Sequence, residues 1–420
     1  MATVALVLCK DTSRILAILF MFVFVISADR HNLNNFGWVI GVSLGLLFVG
    51  IIFHIIHFKP RFISLFKERK IKGFTLATLL LIFPMVLGGI GRGDRNIGVI
   101  LLVLALMLVI SVCYLFFLAT TEDKNPEAII KLMVLVMFVS GLVITSQMIV
   151  YYIRLGSFES ILDSVYHKSI NVGWAGPNNV SPMLALCLPS SFYYAIKKRN
   201  YGYWFIIIAC IQYVLILSTL SRGTILFTTL ALPFMLCYTM AKSENKLGTG
   251  LVLSLCCAAG IALMAYYGPQ LLDIINRMIG RGLDDSGRIE LYKDALQVFK
   301  KYPLFGAGWD YRLGEMAGDG YTPYWYHSTP FQILANMGIV GAVFFSLFSF
   351  WRYKNAFFTK KYRVAKYTIG AGLLLFELYG FVDVNYFGPT FFISMLIMSF
   401  AIDKSLTIQS TKTLEKKNNY

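Results

Sequence analysis

Three side chains stand where the sequence predicts the boundary of a membrane, and their types suit one reaction. Arg222 lies in a short turn between two apolar runs, Arg288 begins an amphipathic segment, and His327 lies where a polar loop re-enters an apolar run. Arginine binds phosphate oxygens through paired hydrogen bonds, and imidazole accepts a proton from a hydroxyl near neutral pH. Together these residues indicate transfer of a group from a lipid-linked diphosphate to a hydroxyl.

Each residue alone also has a plainer interpretation. Arg222 would anchor a turn by extending to the membrane surface, Arg288 would be solvated on a surface helix, and His327 would pack among interfacial aromatic residues. The functional hypothesis depends on the three occurring together on one side of the membrane.

Composition places these residues in a membrane protein. The 420 residues are 57% apolar and 14% charged, against about 45–50% and about 25% in soluble domains. The apolar residues form blocks close to 20 residues long, as membrane-spanning helices require. A soluble enzyme with a single core is excluded. Twelve spans are predicted, at roughly 13–28, 36–58, 73–91, 97–119, 128–153, 180–196, 202–219, 223–241, 247–268, 329–351, 367–382 and 387–403.

The net charge of +16 follows from topology. With both termini cytoplasmic, 25 of the 38 Lys and Arg residues lie inside, as the positive-inside rule requires. No nucleic-acid partner is needed to explain the charge. The predicted domains are spans one to nine (1–268), a large outer loop (269–328), spans ten to twelve (329–403) and a cytoplasmic tail (404–420).

The outer loop is predicted to contain a helix that lies along the membrane. Ile289, Tyr292, Leu296 and Phe299 recur at helical spacing, with Asp285 or Ser286 as N-cap and Pro303 as the terminator. Arg288 would then lie in the first turn, where the helix dipole also favours an anion. Arg281, in the same loop, is an additional candidate for binding substrate.

Further polar residues flank this loop. Ser328, Gln332 and Asn336 form a polar stripe on the tenth span, which suits either sugar hydroxyls or helix–helix hydrogen bonds. Glu377 and Asp383 are acids near the outer half, expected to pair with boundary arginines. Because no Asp-x-Asp motif occurs, no metal site is predicted.

Taken together, the segments resemble the O-antigen ligase and polymerase family of bacterial envelope glycosyltransferases. The matching segments are Leu217-Ser218-Thr219-Leu220-Ser221-Arg222-Gly223, Ser286-Gly287-Arg288-Ile289-Glu290-Leu291-Tyr292, Tyr302-Pro303-Leu304-Phe305-Gly306-Ala307-Gly308, His327-Ser328 and Gly338-Ile339-Val340-Gly341. The sequence departs from the family pattern at Ser328, where Asn is usual, and at Asn336, where Glu is common.

The resemblance implies an all-α, polytopic fold of the GT-C-like kind and a transferase in the bacterial inner membrane with a periplasmic active site. It implies an undecaprenyl-diphosphate-linked glycan as donor, lipid A-core or a growing glycan as acceptor, and no cofactor. Arg222 and Arg288 would hold the diphosphate, His327 would be the general base, and Gln332 would contact substrate.

Two alternatives remain open at this point. The modest length of the outer segment 154–179 favours a ligase, because polymerases of the family often have two large outer loops; a repeat-unit polymerase is the alternative. A flippase or secondary transporter is the competing class. It is disfavoured because the two halves of the chain differ, whereas transporters tend to have two similar halves.

Overall fold

The computed structural model describes residues 83–91, 126–172, 176–198, 200–280, 287–308, 326–358 and 362–383, together with four single helical positions between 49 and 56. Over these residues the fold is helical and has no strand. The helices are α1 (Phe83–Gly91), α2 (Pro126–Arg154), α3 (Phe158–Tyr166), α4 (Pro177–Lys197), α5 (Gly202–Ser218), α6 (Arg222–Lys242), α7 (Lys246–Gly280), α8 (Arg288–Lys301), α9 (Thr329–Phe357) and α10 (Arg363–Tyr379).

Three of these helices are long and apolar enough to cross a membrane: Glu127–Arg154, Arg222–Lys242 and Thr329–Phe357. Shorter apolar helices cover Gly202–Ser218 and Lys246–Ala262. The described part of the chain is therefore all-helical and contains three membrane-span candidates. The predicted spans 13–28, 97–119 and 387–403 lie outside it, and the predicted spans 36–58 and 73–91 lie only partly within it.

Helix α4 forms the centre of the bundle and packs against α2, α5, α6 and α10. Almost every side chain from Val180 to Ile196 is buried. Small residues on its neighbours allow this close packing. A Cβ atom on Gly372 of α10 would lie 2.3 Å from the carbonyl oxygen of Leu186, so α10 approaches the α4 backbone directly. This contact fixes the position of α10, whose C-terminal end lies at the candidate site.

Helix α9 is broken at Gly338, which has φ 61° and ψ −160°. The break removes the hydrogen bonds that Ile339 and Val340 would donate within the helix. Their N–H groups instead donate to the carbonyls of Pro303 and Leu304, at 2.9 and 3.1 Å. Lipid offers no replacement partner for a freed backbone group, so such a break needs protein partners.

The carbonyls of Ala335 and Asn336 are satisfied by the same loop. They accept from the N–H groups of Ala307 and Gly308, at 2.8 and 3.1 Å. Two intrahelical bonds are thus exchanged for four bonds to the segment 303–308. The segment thereby ties α8 to the helix that follows His327.

Replacing Gly338 by alanine should therefore destabilise the protein. The left-handed backbone alone costs an L-residue about 1–2 kcal/mol, and a Cβ here would lie 2.5 Å from the Leu304 carbonyl. We expect a lower melting temperature in detergent and less folded protein. Gly260→Ala is the matched control, because a Cβ at Gly260 in α7 has open space around it; equal stability of the two variants would contradict this account.

Helix α8 confirms the helix predicted over this segment, and small side chains form its contact with the rest of the protein. The placement of its apolar face on the membrane stays a prediction. Ala295 and Val298 are fully buried, together with the partly buried Leu291, whereas Ile289 and Leu296 are exposed. The small side chains allow α8 to pack closely on α9. The N-cap is Gly287, and Asp285 and Ser286 lie outside the described residues.

Two boundaries also differ from the prediction. Helix α7 continues to Gly280, twelve residues beyond the predicted end of the ninth span. Arg352, assigned to a cytoplasmic loop by its charge, is instead a buried residue of α9 that pairs with Glu377. Burial of an arginine is tolerated because this carboxylate lies beside it. The expected pairing of Glu377 with an arginine is confirmed.

Candidate functional site

Residues 379–383, the C-terminal end of α10 and the turn that follows it, are the meeting point of the candidate residues. Four helices begin around it: α4, α6, α8 and α9 each place their first turn against this segment. Residues that are far apart in sequence are thereby brought to one place.

Arg288 contacts this segment from α8. Its Nη1 donates to the carbonyl oxygen of Val382 at 2.5 Å, and the side chain is half-buried. A guanidinium has five N–H donors in a fixed plane, so this bond orients the group while further donors can serve an anion.

Tyr292, one turn along α8, links this helix to the histidine. Its ring stacks on Phe331 with centroids 4.5 Å apart and an interplanar angle of 11°. Its hydroxyl donates to the backbone carbonyl of His327 at 3.3 Å. Burial raises the pKa of Tyr292 above its ordinary value, so the phenol remains a protonated donor at neutral pH.

His327 lies in the turn before α9 with a left-handed backbone, φ 49°. Such a conformation is uncommon for a residue other than glycine and often marks a functional site. Its side chain is 46% exposed, and Nδ1 lies 3.2 Å from Oδ1 of Asp383. A carboxylate here favours the tautomer with the proton on Nδ1. Nε2 then has a free lone pair for accepting a proton.

Asp383 is held on three sides. Its Oδ1 faces His327, its Oδ2 accepts from the Tyr379 hydroxyl at 2.9 Å, and its backbone carbonyl accepts from the Thr329 hydroxyl at 3.3 Å. Its side chain is 17% exposed. The carboxylate can therefore orient the imidazole in the way that the aspartate of a catalytic triad does.

The Ser221-Arg222-Gly223 turn forms another side of the site. Ser221 is buried, and its hydroxyl lies 3.2 Å from that of Thr224. Gly223 packs directly on α10, because a Cβ there would lie 2.1 Å from the Val382 side chain. This close approach needs glycine, and it places the exposed Arg222 next to the segment that Arg288 also contacts.

The electrostatics of the site favour negative charge. None of the N-cap residues of α4, α6, α8 and α9 caps its helix with a side-chain hydrogen bond. Because the first turns of these four helices contact residues 379–383, the positive ends of their dipoles lie around this segment, as does Arg288. Helix N-termini and arginines are groups that bind phosphate in proteins.

The other predicted site residues lie as follows. Gln332 is fully buried, and its Oε1 accepts from the backbone N–H of Tyr326 at 2.9 Å, which fixes the chain just before His327. Ser328 and Asn336 are also buried. Arg281 lies outside the described residues. Among the described residues, no group of three or more His, Cys, Asp and Glu side chains is placed to hold a metal ion.

Sequence reasoning did not identify Tyr379. It expected Asp383 to pair with a boundary arginine and did not predict the contact with His327. Tyrosines are common at membrane boundaries, so Tyr379 carries no signal by itself, and its spacing of four residues from Asp383 is the only hint in the sequence.

One comparison with known proteins gives a match that spans part of the site. Residues 204–346 match the family model described as O-antigen ligase. The matched region covers about a third of the chain and includes Arg222, Arg288 and His327. The resemblance predicted from the sequence is thus confirmed. A search of curated proteins gave no match.

Proposed function

We propose that the chain is an O-antigen ligase, because residues 204–346 match the family model of that description and the described helices include three membrane-span candidates. It would move a glycan from undecaprenyl diphosphate to a hydroxyl of lipid A-core on the periplasmic face of the inner membrane. The observation that carries this proposal is the convergence of Arg288, His327 and the Arg222 turn on residues 379–383 of the chain.

In the proposed reaction, Arg222 and Arg288 hold the diphosphate of the donor. Negative charge on the diphosphate increases as its bond to the sugar breaks, so the arginines bind the transition state more strongly than the ground state. The four helix N-termini act in the same direction. No metal is included in this step, and Arg281 is proposed as a further contact to the donor.

His327 is proposed as the general base. The acceptor oxygen attacks the anomeric carbon of the donor sugar, and the hydroxyl proton passes to Nε2 of His327. The bond between that carbon and the diphosphate oxygen breaks, and its electron pair leaves with the diphosphate. The Asp383 carboxylate stabilises the imidazolium that forms. Gln332 supports this step by holding Tyr326, and its proposed contact with substrate is a separate prediction.

A deletion strain distinguishes a ligase from a polymerase. If the chain is a ligase, deletion leaves polymeric glycan on the lipid carrier and none on lipid A-core. A strain that attaches single repeat units to lipid A-core would show that the chain is a polymerase and would overturn the ligase proposal. The readout is the size and attachment of the glycan on gels, with the wild-type gene restored as control.

A further inference from the structure

The buried hydroxyl of Tyr379 has no role in the reaction proposed for Arg222, Arg288 and His327. Its side chain is 3% exposed, and its hydroxyl lies 2.9 Å from both Asp383 Oδ2 and the backbone carbonyl of Asn178. The ring of Tyr379 also packs against the Arg222 turn, because a Cβ on Gly223 would lie 3.2 Å from its Cδ2. One buried tyrosine thus joins α4, the Arg222 turn and the carboxylate that faces His327.

We infer that Tyr379 is a positioning residue for transfer, which holds Asp383 so that His327 presents Nε2 to the acceptor. This inference rests on the proposed function. Without the phenol, Oδ2 of Asp383 loses a buried partner, and the carboxylate can rotate away from Nδ1. His327 is 46% exposed on its other side, so little else restrains the ring.

The hydroxyl of Tyr379 lies between two acceptors. A phenol has one proton, so it donates to one oxygen at a time, and its bond to a carboxylate is the stronger one. The Asn178 carbonyl is the alternative acceptor for this proton, and its contact at 2.9 Å places the first turn of α4 at the site. The exposed side chains of Asn178 and Asn179 therefore lie at the edge of the reaction centre.

Tyr379→Phe tests this role, with Tyr353→Phe as the matched control. Tyr353 also donates its hydroxyl to a carboxylate, that of Glu377 on the same helix, but Glu377 does not contact His327. Full-length protein in lipid vesicles is given a diphosphate-linked glycan and an acceptor lipid. Because a hydrogen bond to a charged group contributes about 1.5–3 kcal/mol, we expect Tyr379→Phe to lower kcat by about 10- to 100-fold. The donor KM should change by less than about threefold, because the bond acts on the base and not on donor binding.

A double-mutant cycle separates positioning from general stability. If Tyr379 acts through Asp383, then Tyr379→Phe should change kcat by less than about twofold when Asp383 is already Asn. Fully additive losses would overturn the inference, as would a wild-type kcat for Tyr379→Phe. If the variant is poorly recovered, activity in native membranes is divided by the amount of folded protein. An unchanged specific activity then overturns the inference.

If the protein is not a glycan transferase, the same measurements give a different result. In that case the wild type and Tyr353→Phe would both be folded and both fail to transfer glycan. A wild type that transfers glycan while Tyr379→Phe behaves like it would contradict the positioning role alone.

Discussion

Arg288→Ala is expected to reduce glycan transfer by at least about 100-fold while the protein remains in the membrane. The Nη1 bond to the Val382 carbonyl fixes the guanidinium at the C-terminal end of α10. Two hydrogen bonds to phosphate, each of about 1.5–3 kcal/mol, account for a loss of this size. The loss should fall mainly on kcat, because charge on the diphosphate develops in the transition state. The measurement is steady-state transfer in vesicles.

The matched control is Lys293→Ala on the same helix. Lys293 is exposed on α8, and Lys293→Ala removes one positive charge from the same region. If transfer depends on the position of Arg288 and not on charge alone, Lys293→Ala should change transfer by less than about threefold. Arg222→Ala should reduce glycan transfer to a similar extent as Arg288→Ala. Near-normal transfer by Arg288→Ala would remove this residue from the site, and equal losses for Lys293→Ala would indicate a general effect of charge.

His327→Ala is expected to lower kcat by about 100-fold or more, the usual contribution of a general base. The side chain is 46% exposed and contacts Asp383 through Nδ1 only, so its loss should have little effect on folding. Donor binding should be retained, because the arginines and the helix N-termini are unchanged. The measurement is a single-turnover rate with the donor already bound.

His167→Ala provides the comparison for this variant. His167 also faces an aspartate, Asp163, at 3.3 Å, but both side chains are largely exposed on α3. We expect transfer by this variant to match the wild type. A fully active His327→Ala protein would show that the acceptor loses its proton without this imidazole, and the mechanism would need another base.

Several helices and candidate site residues could be predicted from the sequence, because the patterns that indicate them lie within short stretches of neighbouring residues. Apolar blocks and helical spacing predict α2, α5, α6 and α8. Arg288 and His327 attract attention because charged and titratable groups are costly near lipid. The Ser221-Arg222-Gly223 turn is recognisable because it separates two apolar runs.

The contacts that complete the site are not local. His327 and Asp383 are 56 positions apart in the chain, and no periodicity relates them. Gly338 stands in an apolar run like any small residue, so the break in α9 becomes evident only with segment 303–308 packed against it. The packing of α8 was not predicted either: Ala295 and Val298 are buried in a cluster with Ala335 of α9, whereas Leu296 is exposed.

The proposed reaction requires this site to break the bond between a glycan and its lipid diphosphate. It is tested most directly with purified protein in vesicles that contain undecaprenyl-diphosphate-linked glycan and lipid A-core, without nucleotide sugar. We predict that glycan–acceptor product and undecaprenyl diphosphate form in equal amounts, and that Arg288→Ala and His327→Ala largely abolish both. Glycan that stays on its carrier, or that crosses the bilayer still attached to it, would contradict the account.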